Sequence, residues 1–144
     1  MPAGAALDEN AIVEAVCGYL TERGWQIAQR LTTKQSGVDI IAVRNGGRLL
    51  VEAKGGTSSL AGSARFGKAY TNTQAFDRVA KGLLTGFELL DRYPGDQVAL
   101  AFPADPYFLR YVGRVQVALA RTGLKIFWVA RDGIVAEGVA PPSA

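Results

Sequence analysis

Histidine is absent from the 144 residues, and cysteine occurs once, as Cys17. The first absence removes Ser-His-Asp and Cys-His nucleophilic centres and every nuclease whose general base is an imidazole. The second excludes an intramolecular disulfide and a cysteine-based zinc site. No apolar run approaches the ~18 residues of a membrane span. The opening MPAGAALDEN carries no basic n-region, and Asp8 and Glu9 interrupt it early, so it does not read as a signal peptide and a cytoplasmic protein is expected. If this chain cuts nucleic acid, carboxylates, lysine and metal-bound water must therefore do it.

The length fits one domain spanning residues 1–144, with 1–7 and 139–144 expected as flexible tails. A hydrophobic content of 49% is enough for a core without staples. The net charge is only +3, but Arg44 to Lys81 holds seven bases against two acids. Clustered positive charge of this kind suits a polyanion, though a solvated, mildly basic surface has the same composition.

The most informative stretch is GVDIIAVRNGGRLLVEAKG, Gly37 to Gly55. Two apolar runs flank Asn45-Gly46, the commonest pair in a two-residue type I′ turn. With that pair at the tip, Arg44 faces Gly47, Ile41 faces Leu50, and Asp39 falls opposite Glu52. Lys54 lies two residues past Glu52, on the same face. Two carboxylates opposed on a sheet repel, and burial among Ile, Val and Leu adds a desolvation cost. A divalent cation would remove both. Mg²⁺ is a hard cation that takes one or two carboxylates plus waters and phosphate oxygens.

An Asp…Glu-x-Lys set across a hairpin resembles the PD-(D/E)xK nuclease superfamily, with Asp39, Glu52 and Lys54 at the matching positions. The proline that often precedes the aspartate is replaced by Val38. The run VEAKGGTSS…GSARFGKAY…Q is also similar to small uncharacterised bacterial proteins of this class. The resemblance spans roughly Ala11 to Val129, and its specific part is the hairpin. It implies a restriction-endonuclease-like α/β fold: a mixed β-sheet flanked by helices, with an α-β-β-β-α-β core plus a C-terminal helix and hairpin. It further implies Mg²⁺, replaceable by Mn²⁺, on Asp39 and Glu52, with the Ala53 carbonyl as a third ligand. Lys54 would orient water and stabilise the phosphorane.

Members of the superfamily often add a glutamate from the first helix. That helix is expected from Asp8 to Arg23, with Gly24 as its C-cap. Spacing from Gly24 favours Glu14 for this role, whereas the helical angle favours Glu9, which shares the apolar face with Val13 and Val16. Glu14 is taken on spacing. Several branches also place a glutamine at the start of the helix after the Glu-x-Lys, which makes Gln74 a further candidate.

Trp25 to Thr32 reads as a first strand, possibly at an edge. After the hairpin, Gly55 to Tyr70 has four glycines and no apolar periodicity. Its Arg65 and Lys68, with Arg78 beyond, are candidate phosphate contacts, although a plain surface loop fits equally. The Walker A spacing is missing. Thr71 to Arg92 is the best helix, with Phe76, Ala80, Leu83, Phe87 and Leu90 as its expected core stripe. Gln97–Pro103 is a buried strand, Tyr107–Thr122 a helix packing Phe108, Tyr111, Val112, Val115 and Leu119 inward, and Lys125–Ala130 a strand that turns at Asp132-Gly133 into Ile134–Ala136.

Three functions are compatible with this pattern. One is a Mg²⁺-dependent nuclease acting on nucleic acid, DNA before RNA, with a homodimer left open. Another is a non-catalytic nucleic-acid- or protein-binding module on the same fold. The third, an α/β domain for a small phosphorylated molecule, fits the glycine-serine loop but no nucleotide fingerprint. Among these the nuclease accounts for most residues.

Overall fold

The computed structural model describes residues 4–32, 35–58 and 67–140. Its elements run α1 (Glu9–Glu22), β1 (Gln26–Arg30), β2 (Ile40–Arg44), β3 (Gly47–Ala53), α2 (Asn72–Arg92), β4 (Gln97–Pro103), α3 (Pro106–Gly113), α4 (Gln116–Thr122), β5 (Lys125–Val129) and β6 (Val135–Glu137). The six strands form one mixed sheet in sequence order, β1 to β6, flanked by the four helices. Pairs β1–β2, β2–β3 and β5–β6 are antiparallel, and the central β3–β4 and β4–β5 pairs are parallel. This is the mixed α/β architecture expected from the sequence. No described helix is long and apolar enough to cross a membrane.

The hairpin turns where its sequence dictates. Asn45 and Gly46 both have positive φ, 51° and 78°, as a type I′ turn requires. Arg44 pairs with Gly47 and Ile41 with Leu50. The pleat then sorts side chains onto two layers. Ile40, Ala42, Leu49, Val51 and Ala53 meet α1 on one face. Leu50, Leu100, Phe102, Ile126 and Trp128 meet α2 and the C-terminal helices on the other. Phe127 and Trp128 accordingly fall in opposite layers.

Four local expectations are revised. The sheet-facing residues of α2 are Ala75, Val79, Gly82, Gly86 and Leu89, not the Phe76–Leu90 stripe. A Cβ on Gly82 would sit 3.0 Å from the Phe102 ring, and one on Gly86 3.0 Å from Leu100. The small residues let the helix backbone approach the sheet; of the stripe, Leu83 and Leu90 still pack against the core, while Phe76, Ala80 and Phe87 turn outward.

The expected helix Tyr107–Thr122 is two helices. Val115, at φ −127° and ψ 17°, breaks it next to Gly113, a poor helix former. Val115 is thereby turned to solvent rather than inward.

The N-terminal segment is docked from Gly4 onward rather than loose. Ala6 is buried, its N–H donates to Gly67 O, and Arg131 donates to Gly4 O. At the other end Val139 packs on the core, while the end of that expected tail, 141–144, lies outside the described residues.

Candidate active site

The candidate site lies at the carboxyl end of β3, on the sheet face that carries α2. One register step beyond the Ile40–Val51 pair, Asp39 stands opposite Glu52. Asp39 is 7% exposed, and its Oδ2 accepts a hydrogen bond from the Ala53 N–H at 2.8 Å. Its carboxyl also hydrogen-bonds that of Glu52. Lys54 extends the ladder past β3, its N–H donating to Ala101 O at 3.0 Å. Its ammonium stands 3.5 Å from Glu52 Oε2, with both side chains about five-sixths buried, at 16% and 15% exposed. The two carboxyls and the ammonium therefore converge as the turn register requires.

Burial sets the electrostatics. It raises the Glu52 carboxyl from 4.5 to about 7, with the Asp39 charge adding to the rise and Lys54 opposing it. Burial also raises Asp39, against the Ala53 N–H bond, the Glu52 hydrogen bond and the Lys54 charge. Near neutrality the pair can hold a proton between its oxygens. A divalent cation would take the place of that proton, so the donor set fits a hard metal: two oxygen donors with a compensating lysine beside them, a hard metal's remaining positions being taken by waters and substrate oxygens. Among the described residues no three Asp, Glu, His or Cys side chains gather into a ready cage. Mg²⁺ does not require one, because waters and substrate oxygens complete its shell.

Of the two helix glutamates, the structure brings Glu9 near the Asp39–Glu52–Lys54 cluster and leaves Glu14 away from it. Burial raises the Glu9 carboxyl, the Asp39 charge raises it further, and Lys54 and Arg78 lower it, so it lies within electrostatic reach of all three. The cause is a close chain crossing. A Cβ on Gly55 would lie 2.4 Å from Glu9 N, and Gly56 N–H donates to Leu7 O at 2.7 Å. The segment leaving Lys54 thus passes directly beneath the start of α1, where Glu9 is the first residue after the Asp8 cap. Glu14 is exposed and lines a separate hollow with Gly18, Glu22 and Gly133. The apolar-face angle, rather than the spacing from Gly24, anticipates which glutamate lies near the cluster.

Gln74 is placed as a capping residue. Its Oε1 accepts from Thr71 N–H at 2.9 Å while Thr71 Oγ1 accepts from Gln74 N–H, a reciprocal capping box. Arg78, one turn on, reaches Glu9 electrostatically and lies 5.2 Å from the Tyr70 ring centre. Lys68 is exposed, and Arg65 lies outside the described residues. Ala53 is tied to the site through its N–H. Gly82 borders the site in a way the sequence alone does not announce: the Lys54 Cγ would lie in ordinary contact, 3.6 Å, with a Cβ there, and the tight approach that requires glycine is to the Phe102 ring.

Fold and site together define a mixed α/β protein with a buried Asp-Glu-Lys centre at the end of a β-hairpin. No family model matches the chain, and no curated protein does. Among solved structures it is similar to an FdxN element excision controlling factor protein from Anabaena variabilis, at 21% identity and a TM-score of 0.51, over 90% of this chain and 98% of that one. An XisH family protein from Nostoc punctiforme aligns at 20% identity and a TM-score of 0.49, over 88% and 96%. At this identity the first likeness speaks for the fold.

Proposed function

We propose that this protein is a divalent-metal-dependent phosphodiester hydrolase acting on nucleic acid, DNA foremost. The observation that carries the reading is the convergence of Asp39, Glu52 and Lys54 in a largely buried cluster that costs stability when left alone. Asp39 and Glu52 would hold Mg²⁺ or Mn²⁺, with the Ala53 carbonyl as the backbone donor. When bound, such an ion supplies charge neutralisation for the scissile phosphate and a lowered pKa for attacking water. Lys54 places a fixed ammonium where negative charge grows on the phosphorane, in a site already withdrawn from water. Glu9, at the mouth of the site, is positioned to accept a hydrogen bond from water on the α1 side. Lys68 and Arg78 offer phosphate contacts beside it.

The assay is cleavage of supercoiled plasmid and of single-stranded oligonucleotides with Mg²⁺, Mn²⁺ or EDTA, using Asp39→Asn and Glu52→Gln as matched variants. The proposal expects cut products with the divalent ions and none with EDTA or either variant. Salt-dependent DNA binding without cleavage under any divalent ion would instead favour a binding module on the same fold.

A further inference from the structure

Next to the candidate active site, at the same end of the sheet, lies a cavity of about 420 Å³, within the size range of small-ligand pockets. Three separate parts of the chain wall it. Tyr70 and Ala75 come from the start of α2, Asp105, Tyr107 and Phe108 from the start of α3, and Arg131 from the turn after β5. β3, β4 and β5 run parallel, so Lys54, Asp105 and Arg131 all stand just beyond carboxyl ends of strands. Open α/β sheets hold their ligands at that end. Gly56, two residues past Lys54, joins the cavity to the site. A Cβ on it would sit 2.9 Å from Asp105 Oδ2, and its carbonyl accepts from Tyr70 N–H at 2.9 Å. Arg78 spans the same gap: its guanidinium lies 5.2 Å from the Tyr70 ring centre, and its charge reaches Glu9.

The walls decide what the cavity can hold. Among the described residues its charged groups form one ion pair: Arg131 Nε donates to Asp105 Oδ1 at 2.9 Å, with the side chains 28% and 10% exposed. The pair cancels, so a free phosphate gains little there. A flat, uncharged group with a π face gains more, because Tyr70, Tyr107 and Phe108 line the space. Arg131 also donates to Gly4 O at 3.1 Å, which fixes the plane of its guanidinium, a surface on which a base can stack. Tyr107 is 40% exposed and forms the open side. The cations suited to phosphate, Lys54 and Arg78, stand outside the cavity on the side of the active site.

We propose that this cavity receives one nucleobase of the substrate strand, stacked on Tyr107, while a neighbouring phosphate lies in the Asp39–Glu52–Lys54 site. The inference rests on the nuclease reading and narrows its substrate. A base within a duplex is stacked and paired, and taking it out costs energy, so the cavity is filled from a single strand or an unpaired stretch.

The test is fluorescence anisotropy of labelled DNA with the full chain, in EDTA so that nothing is cut. The probes are a short single strand, its duplex, and a strand of equal length with abasic residues throughout. The wild type should bind the normal single strand more tightly than the abasic one. Tyr107→Ala should weaken the normal strand by roughly ten-fold or more, the effect of losing one stacked base, and leave the abasic strand and the duplex unchanged. The slope of log K against log salt should not move, because no phosphate contact is lost. Tyr107→Phe should bind as the wild type does. Tyr107→Leu keeps an apolar side chain on α3 but no π face, and should match Tyr107→Ala. Equal binding of the normal and abasic strands by the wild type overturns the proposal. So does a single-strand affinity unchanged in both Tyr107→Ala and Tyr107→Leu, or a loss that the abasic strand shares. With any of these results, metal-dependent cleavage by the wild type leaves the nuclease reading standing, whereas a wild type that binds none of the three DNAs overturns both.

Discussion

Removing the Glu52 charge should stabilise the metal-free protein, and only above acidic pH. In the fold the Glu52 carboxyl is raised from 4.5 to about 7, by burial and then by Asp39. The folded chain therefore holds this proton more tightly than the unfolded chain does. Below pH 4.5 both states are protonated and nothing is lost. As pH climbs from 4.5 to 7 the unfolded state ionises first, so stability falls, and above 7 the loss is complete. The full cost corresponds to roughly 3 kcal/mol. Asp39 and Glu9 are raised for similar reasons and push in the same direction. Glu52→Gln keeps the shape and removes the titration. In urea unfolding with EDTA, the advantage of Glu52→Gln over wild type should grow by about 2 kcal/mol between pH 5 and pH 8. Mg²⁺ should restore wild type at pH 8 more than at pH 5, because the ion competes with the proton for the same oxygens, and should do little for the variant. An advantage that does not change with pH would refute the buried-pair account.

Further outcomes follow from the same geometry. Lys54→Ala deletes no metal ligand, so Mg²⁺ affinity by calorimetry should hold, while single-turnover cleavage should drop by about 10² to 10³, as on losing one preorganised charge-stabilising group. Glu9→Gln should alter Mg²⁺ affinity or its pH dependence in the same titration, and Glu14→Gln should leave both unchanged; the reverse result would return the role to Glu14. Gly82→Ala forces a Cβ to 3.0 Å from the Phe102 ring and should lower thermal stability, by about 1 to 3 kcal/mol if the helix cannot shift.

The hairpin was legible in the sequence because one dipeptide fixes its register. Asn45-Gly46 favours a type I′ turn over one on Gly46-Gly47, which would have set Lys54 opposite Asp39, and the turn determines which residue faces Asp39. The order of elements was legible for a similar reason, since Gly24, Thr71 and Gly123 mark helix ends by local chemistry. What was not legible depends on distance between elements. A pattern reading assigns the core to the largest side chains, yet Gly82 and Gly86 win the sheet because a close-packed helix needs small residues there. Helical periodicity alone does not reveal that Val115 would leave its face, because that requires a break beside Gly113. The choice between Glu9 and Glu14 turned on where Gly55 crosses α1, a contact between residues 46 positions apart in the chain. Gln74 was seen as a site candidate when its nearest partner, three residues back, explains it.

The central claim is that Asp39 and Glu52 share one divalent cation. Crystals soaked in Mn²⁺ and measured at its absorption edge test it without reference to substrate or activity. The account predicts an anomalous peak bridging the Asp39 and Glu52 carboxylates, beside and not on Lys54, and absent from Glu52→Gln crystals. Density without a peak there, with the two carboxyls still joined by a proton at a pH well above 7, would contradict it.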